Sequence, residues 1–500
     1  MPPSLALTAA LAFSLVLWVR ESRRQPQLSA ALWIPLLWLL ILGSRSVSAW
    51  LAFENQASVD ALLDGSPLDR AVFAGLMIAA RGIVIRRRAV IAQVFSNHPW
   101  LLIFFAYGLL SLVWSDYPFV GFKRWFKSLG DPLMALVIIS ERQPAAALAS
   151  VFRRCAFLLL PLSIVFIKYF PALGRAYDSW TGMAFNTGVT TNKNLLGYLL
   201  LVFGLFFASA LIVRNDSDSR AQRRVETAIA ITFLVMVAYL LWVADTKTPL
   251  IALAAGAGVV FASGSRIVRQ NFGAITAITL IVVGVLQFLL NLDQAVLDAV
   301  GRDPTFTGRT DLWKAALSLT VNPWLGAGFE SFWLGDRLSA MWDLYPVFRP
   351  NQAHNGYLQV YLNLGWVGVF LCTGVLAAWY QAMRDRLLVA NGSYDARLLA
   401  RFTVGYFLAF VLYNITEAVF QPLNFLFVVL VMVAFNARLR EPALAAQHAV
   451  REATPAAGRC ADLQSGGGWK PRPVLAMTDS SDRSTSVRRL HWTMDVHSHH

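Results

Sequence analysis

Apolar residues run on for stretches of membrane-span length with neither a helical stripe nor a strand-like alternation of polar positions. This is the pattern of helices that meet apolar surroundings on every side. A spanning window of about 20 residues picks out runs at 4–19, 28–43, 68–85, 98–114, 126–140, 155–170, 192–213, 225–244, 249–263, 272–290, 356–380, 401–420 and 422–439. Several are short or broken by proline, so about 10 to 13 spans are expected. The predicted fold class is all-α, a polytopic membrane helical bundle.

The polar segments between the runs orient the bundle. Arg20, Arg23 and Arg24 follow the first run, and Arg86, Arg87 and Arg88 the third. Arg142, Arg153 and Arg154 follow the fifth, Arg214, Arg220, Arg223 and Arg224 the seventh, and Arg266 and Arg269 the ninth. Arg384, Arg386, Arg397 and Arg401 follow the eleventh. Because arginine and lysine are retained in cytoplasmic loops, this alternation puts the N-terminus outside and the tail inside. The first run has no preceding basic residue and no clear small-residue cleavage site, so it reads as a span and not as a signal peptide.

Composition narrows the class. Hydrophobic residues make up 57% and charged residues only 14%, which excludes a soluble enzyme, a disordered protein and a simple nucleic-acid binder. The net charge of +14 belongs to cytoplasmic loops and not to a nucleic-acid footprint. Cys155, Cys372 and Cys460 show no CxxC spacing, so neither a disulfide framework nor a zinc site is expected. Residues 1–440 form the expected transmembrane catalytic domain, and the Gly/Ser/Pro-rich residues 441–500 an expected disordered cytoplasmic tail.

Candidate chemistry gathers on the outer side. Lys123, Lys127, Lys168, Lys193, Lys247 and Lys314 all fall in or beside outer loops, against the orientation bias. They either meet an anionic ligand such as a phosphate or are solvated and paired with Asp116, Asp178, Asp245 and Asp311. The longest outer segment, about 291–355, exceeds a simple loop and should be ordered. In it, a helix from Thr310 to Thr320 is expected along the membrane surface, with Leu312, Trp313, Ala316 and Leu317 on one face. Thr307 or Thr310 would cap it and Asn322-Pro323 stop it. Arg309 then sits at its N-terminus as a phosphate clamp, or pairs with Asp303 or Asp311. His354, just before a span, is the one outer-face histidine and a candidate proton acceptor, unless it is structural. Glu417, with Asn414, falls within the apolar run 401–420 and is either functional or a seal between helices. Asp216-Ser-Asp218, a DxD look-alike, reads as a solvated turn, and no Walker A, Rossmann or HExxH pattern is present.

Gly301-Arg-Asp-Pro-Thr-Phe-Thr-Gly-Arg-Thr-Asp-Leu-Trp313 and Asn322-Pro-Trp-Leu-Gly-Ala-Gly-Phe329 together resemble the large extracytoplasmic loop of the O-antigen ligase and polymerase superfamily. The likeness is greatest to its exopolysaccharide-production branch. The pattern His-Asn, nine residues, Gly-x-x-Gly is matched from His354-Asn355 to Gly365 and Gly368. Trp114–Pro118, Gly188–Gly197 and Thr246–Leu250 also resemble superfamily blocks, in order, so the likeness covers roughly 100–430. Members often carry an arginine before the glycine matching Gly188. Thr187 stands there in this chain, leaving Arg175 or Lys193 to supply the charge.

The resemblance implies a fold like the C-type glycosyltransferases and a polyprenyl-pyrophosphate-linked oligosaccharide as donor, used at the outer face of a bacterial inner membrane. It implies His354 as base and Arg309, Arg302, and Arg124 or Lys193 as cations on the leaving pyrophosphate. Asn355 is the expected substrate-binding neighbour of His354. Two arginines neutralise a pyrophosphate without divalent metal, so neither metal nor cofactor is expected, and inversion follows by analogy. Trp313, Trp324 and Trp333 stack on sugars or serve as packing and interfacial anchors. Polymerisation of lipid-linked repeats, with membrane lipids around the protein and a chain-length regulator and flippase as partners, is the favoured expectation. A ligase moving glycan to lipid A core and a lipid-linked glycan flippase are the alternatives. Reporter fusions after Arg24, Arg88 and Arg224 should read cytoplasmic and a fusion near Gly335 periplasmic. Cytoplasmic signal at Gly335 would put His354 on the wrong side.

Overall fold

The computed structural model describes residues 1–51, 66–87, 94, 96–177, 182–278, 307–345, 349–388 and 392–438. All of them belong to one compact unit, Met1–Leu444. Arg302 and the tail 441–500 lie outside the described residues, as does most of the apolar run 272–290. Helices of ten residues or more among the described residues are numbered in chain order. They are α1 (Pro3–Arg24), α2 (Trp33–Leu42), α3 (Pro67–Arg86), α4 (Pro99–Leu110), α5 (Pro118–Ser128), α6 (Gly130–Ile139), α7 (Pro144–Tyr169) and α8 (Lys193–Ile212). After them come α9 (Arg220–Ala244), α10 (Lys247–Ala262), α11 (Thr307–Ser318), α12 (Gly335–Leu344), α13 (Gly356–Leu388), α14 (Tyr394–Thr416) and α15 (Phe425–Ala437). A small antiparallel pair, β1 (Arg175–Tyr177) and β2 (Ala184–Asn186), joins α7 to α8.

The starts of these helices are written in the chain. Proline opens α1, α3, α4, α5 and α7, where a missing N–H costs no hydrogen bond. Ser219 and Gln222 form a reciprocal capping box at α9. The protein is a polytopic helical membrane protein. Six of its described helices (α1, α7, α8, α9, α13 and α14) are long and apolar enough to cross a membrane. Four shorter apolar helices accompany them: Ala30–Leu42, Pro99–Trp114, Lys247–Ala262 and Phe425–Ala437. The run expected at 126–140 is split between α5 and the ten-residue α6, so it does not reach span length as one helix.

At the bundle centre, α8, α10 and α14 pack on one another. Gly256 and Gly405 let α10 and α14 touch backbone to backbone: a Cβ on Gly405 would fall 2.6 Å from the Gly256 carbonyl oxygen. At the ends of α1, α7, α9 and α14 remote from Lys193, a charge network ties the helices together. Arg153 spans Glu21 (3.2 Å) and Asp395 (2.9 Å), and Arg20 and Arg24 both reach Glu226. Asp218 of the DxD look-alike pairs with Arg24 at 3.0 Å and Asp216 with Arg397 at 3.2 Å, so the motif is a set of helix ties.

The outer loop departs from expectation in three ways. Helix α11 starts at Thr307, not Thr310, so both threonines proposed as caps lie inside it and Arg309 falls in its first turn. Its buried face is narrower than expected. Leu312 and Ala316 join Phe332, Leu338 and Met341 in a separate small core, while Leu317 is 46% exposed. Finally, α13 is not continuous: Gly365 breaks it at φ 63°, ψ −165°. The segment 322–328 docks into that break. Ala327 N–H donates to the Leu362 carbonyl (3.0 Å), Gly328 N–H to Asn363 (2.8 Å), and Trp366 N–H to Pro323 (2.9 Å). A Cβ on Gly365 would lie 2.2 Å from the Trp324 carbonyl carbon and oxygen. Gly365→Ala therefore meets a left-handed backbone and a fixed neighbouring peptide together. It should destabilise the protein by roughly 3 kcal/mol, read as a lowered unfolding temperature in detergent, whereas Gly75→Ala, with open space around it, should not.

Candidate functional site

His354 stands between segment 349–353 and the first turn of α13, in the left-handed region at φ 47°. A non-glycine residue held there is strained, and such strain persists only where the surroundings fix it. Here they do. The N–H of the preceding residue, Ala353, donates to the buried Gln359 Oε1 at 3.0 Å, and its carbonyl accepts from the indole of Trp313 in α11 at 2.8 Å. Gln359 Oε1 also accepts from the Trp333 indole at 2.9 Å. Both polar groups of the residue before His354 are thus pinned, one by the span and one by the outer-loop helix.

The imidazole meets a carboxylate. His354 Nδ1 lies 3.1 Å from Glu417 Oε2, and Glu417 Oε1 accepts from Asn194 Nδ2 at 3.0 Å. Glu417 is only 3% exposed and sits just past α14, as its C-cap, in extended conformation. The expectation that it lies within a helix is corrected: α14 ends at Thr416. An ionised carboxylate only accepts hydrogen bonds, so Nδ1 must carry the proton. A neutral ring so arranged would carry its lone pair on Nε2, the arrangement of a proton acceptor.

Several helix ends converge here. Asn194 is the second residue of α8, and Gly356 opens α13 directly against Asn414 of α14: a Cβ there would be 1.9 Å from Asn414 Oδ1. Gly197 of α8 abuts Pro249 of α10 and lies beside Tyr413 of α14. The N-termini of α8 and α10 are therefore neighbours, and each begins with a lysine, Lys193 and Lys247. Backbone N–H groups and positive dipole ends make such a junction favourable to anions.

The candidate cations separate into groups. Lys123, Lys127 and Lys168 lie over the rings of Phe119 (5.1 Å), Phe73 (4.2 Å) and Tyr169 (5.6 Å), and Lys314 forms a solvated pair with Asp311 (3.8 Å). Lys314 thus matches the solvated, paired alternative, while the other three meet aromatic rings, a partner that neither alternative named. Lys193 is exposed and 6.0 Å from the Phe185 ring. Among the described residues, Lys247 Nζ is buried without a hydrogen-bond partner. Arg309 lies on α11, the helix that holds Ala353. Arg124 donates to the Glu330 carbonyl at 2.7 Å. Burial lowers the Arg124 pKa, partly offset by Glu330, and burial raises that of Glu330, partly offset by Arg124. Arg124 therefore has a structural task on the outer loop.

Arg175 donates through Nε to the Ile167 carbonyl at 3.2 Å. The basic residue that grips the Gly188 loop is instead Arg45, absent from the sequence reading, which donates to the carbonyls of Leu173 and Thr190 (3.1 Å for the latter). Asn355 is a helix cap: its Oδ1 accepts from the N–H groups of Tyr357 and Leu358, each at 3.0 Å. Its Oδ1 is therefore engaged in capping the first turn of α13. Trp333, 5% exposed and bonded to Gln359, is packing and not a sugar platform, while Trp324 is 66% exposed.

Residues 231–373, from within α9 to the middle of α13, match the family described as O-antigen ligase. The matched stretch contains Lys247, Arg309 and His354. Over this stretch the chain is similar to the O-antigen ligase superfamily. It is also similar to the exopolysaccharide production protein ExoQ of Rhizobium meliloti (strain 1021). The two are 24% identical over 334 residues, covering 63% of this chain and 72% of that protein. Both likenesses support a membrane enzyme of ligase or polymerase type.

Asn194 and Gln359 were missed as site residues, although Asn194 lies in the Gly188–Gly197 block and Gln359 one turn after His354. Glu417→Gln keeps the shape and the Asn194 contact but removes the charge that fixes the Nδ1 proton. Glycan-transfer turnover should fall roughly 10²–10⁴-fold with KM little changed. Wild-type turnover in this variant would make Glu417 a helix seal only.

Proposed function

We propose that the chain is a glycosyltransferase that polymerises polyprenyl-pyrophosphate-linked oligosaccharide repeats into exopolysaccharide, at the outer face of the bacterial inner membrane. The observation that carries this reading is the His354–Glu417–Asn194 arrangement at a junction of helix N-termini. It pairs a proton acceptor with an anion-favouring surface, the two things this transfer needs. The acceptor hydroxyl gives its proton to His354 Nε2 as its oxygen bonds to the anomeric carbon of the donor. The glycosyl–phosphate bond breaks, and the electron pair leaves with the lipid pyrophosphate. Arg309 and Arg302, with Lys193 and Lys247, take up that charge together with the N-termini of α8 and α10. In this scheme the cations do the work of a divalent metal, and attack from the face opposite the leaving group inverts the anomeric centre.

The exopolysaccharide-production relative supports polymerisation. The O-antigen ligase match keeps open a second reading, transfer to lipid A core. A flippase for the same lipid-linked glycan has no use for a proton acceptor whose tautomer is fixed by a carboxylate.

His354→Gln retains size and hydrogen bonding but cannot take up the proton. Turnover of purified, folded enzyme should fall roughly 10²–10⁴-fold, and EDTA should leave the wild type unaffected. Cells carrying the variant should accumulate a single lipid-linked repeat and lose long polymer. Normal polymer would remove His354 as base, and intact polymer with unmodified lipid A core would favour the ligase.

A further inference from the structure

A sizeable cavity among the described residues lies away from His354. It lies at the other end of α8, about 27 Å along the helix axis from Asn194 at 1.5 Å per residue. It encloses about 340 Å³ between α7, the end of α8 and the start of α9. Its floor is apolar: Phe157, Phe206 and Phe207 line it, and the rings of Phe157 and Phe207 pack on Phe233 at 5.1 and 4.9 Å. Its mouth is charged, with Arg214, Arg223, Asp218 and Glu226. Both carboxylates are already taken, Asp218 by Arg24 and Glu226 by Arg20 and Arg24. Arg153, deeper in, is likewise held between Glu21 and Asp395. Arg214 and Arg223 form no ion pair among the described residues, although both line the mouth. A cavity with an aromatic floor and two uncompensated guanidinium groups at its rim fits an amphiphile with a phosphate head.

We propose that this cavity binds the phosphate headgroup of an anionic phospholipid, from the leaflet opposite to the one His354 faces. Arg214 and Arg223 hold the phosphate, while the first acyl carbons lie on the Phe157 and Phe207 rings. Basic pockets between membrane helices favour such headgroups because charge and hydrocarbon are satisfied at one depth. A soluble phosphate ester would satisfy the arginines but leave the aromatic floor unused.

The test uses the full chain purified in detergent, with binding followed by native mass spectrometry and by the unfolding temperature. Phosphatidylglycerol should bind and stabilise, while phosphatidylcholine and glycerol 3-phosphate should not. Replacing both Arg214 and Arg223 by alanine should weaken phosphatidylglycerol about thirtyfold, and replacing both by lysine should restore most of it. Arg384→Ala, which removes an exposed arginine paired with Asp385, should change nothing. Equal binding of phosphatidylcholine, equal stabilisation by glycerol 3-phosphate, or an equal loss in the Arg384 variant would each overturn the proposal. If the alanine pair does not fold, the charge-reversed Arg214→Glu protein should show the same loss.

Discussion

The backbone inside an apolar slab has no water to turn to, so each N–H and carbonyl must find a partner within the protein. Helices meet that demand by themselves. Where this chain leaves the helix, the partners come from elsewhere. At Gly365 the freed groups bond segment 322–328. Between Thr416 and Phe425, the Phe420 N–H bonds the Asn414 side chain and the Leu423 N–H bonds Asp131. Before α13, Ala353 is held by Gln359 and Trp313. Two of these interruptions carry His354 and Glu417 themselves. Interrupted helices let a side chain such as Glu417 leave the helical register and turn toward an imidazole on another element.

Much of this was legible in the sequence because its causes are local. Unbroken apolar runs made the helix count and class readable, and prolines and serines fixed many helix starts. His354 stood out because proton chemistry near neutral pH has few residue types to choose from. Some of what stayed hidden depends on partners distant in sequence, and some on local geometry that residue type does not announce. The Glu417–His354 contact joins residues 63 positions apart. Arg45 reaches Thr190 across 145 positions. Asn355 looked like a substrate ligand because it adjoins His354, and only backbone geometry revealed it as a cap. The aromatic rings over Lys123, Lys127 and Lys168 were equally invisible, so six outer lysines looked like one set.

Electrostatic balance differs between the two ends of the helices. At the Arg153 end, cations and carboxylates are knitted into pairs that tie α1, α7, α9 and α14, and the cavity rim carries Arg214 and Arg223 outside those pairs. At the Asn194 end, Glu417 is engaged with His354 and Asn194, while Lys247 Nζ is buried with no hydrogen-bond partner among the described residues. A buried ammonium without a partner is costly, and an arriving anion removes that cost. Affinity at such a point comes from relief of an existing penalty as well as from new contacts.

The indole bond from Trp313 to Ala353 gives α11 two independent faces. One faces inward and is tied to the peptide beside His354. The other, among the described side chains, has Leu317 exposed at its edge and the solvated Asp311–Lys314 pair. Substitutions on the outward face can accumulate without moving the histidine. A lineage can therefore remodel the exposed side of this loop while keeping the peptide beside His354 in place.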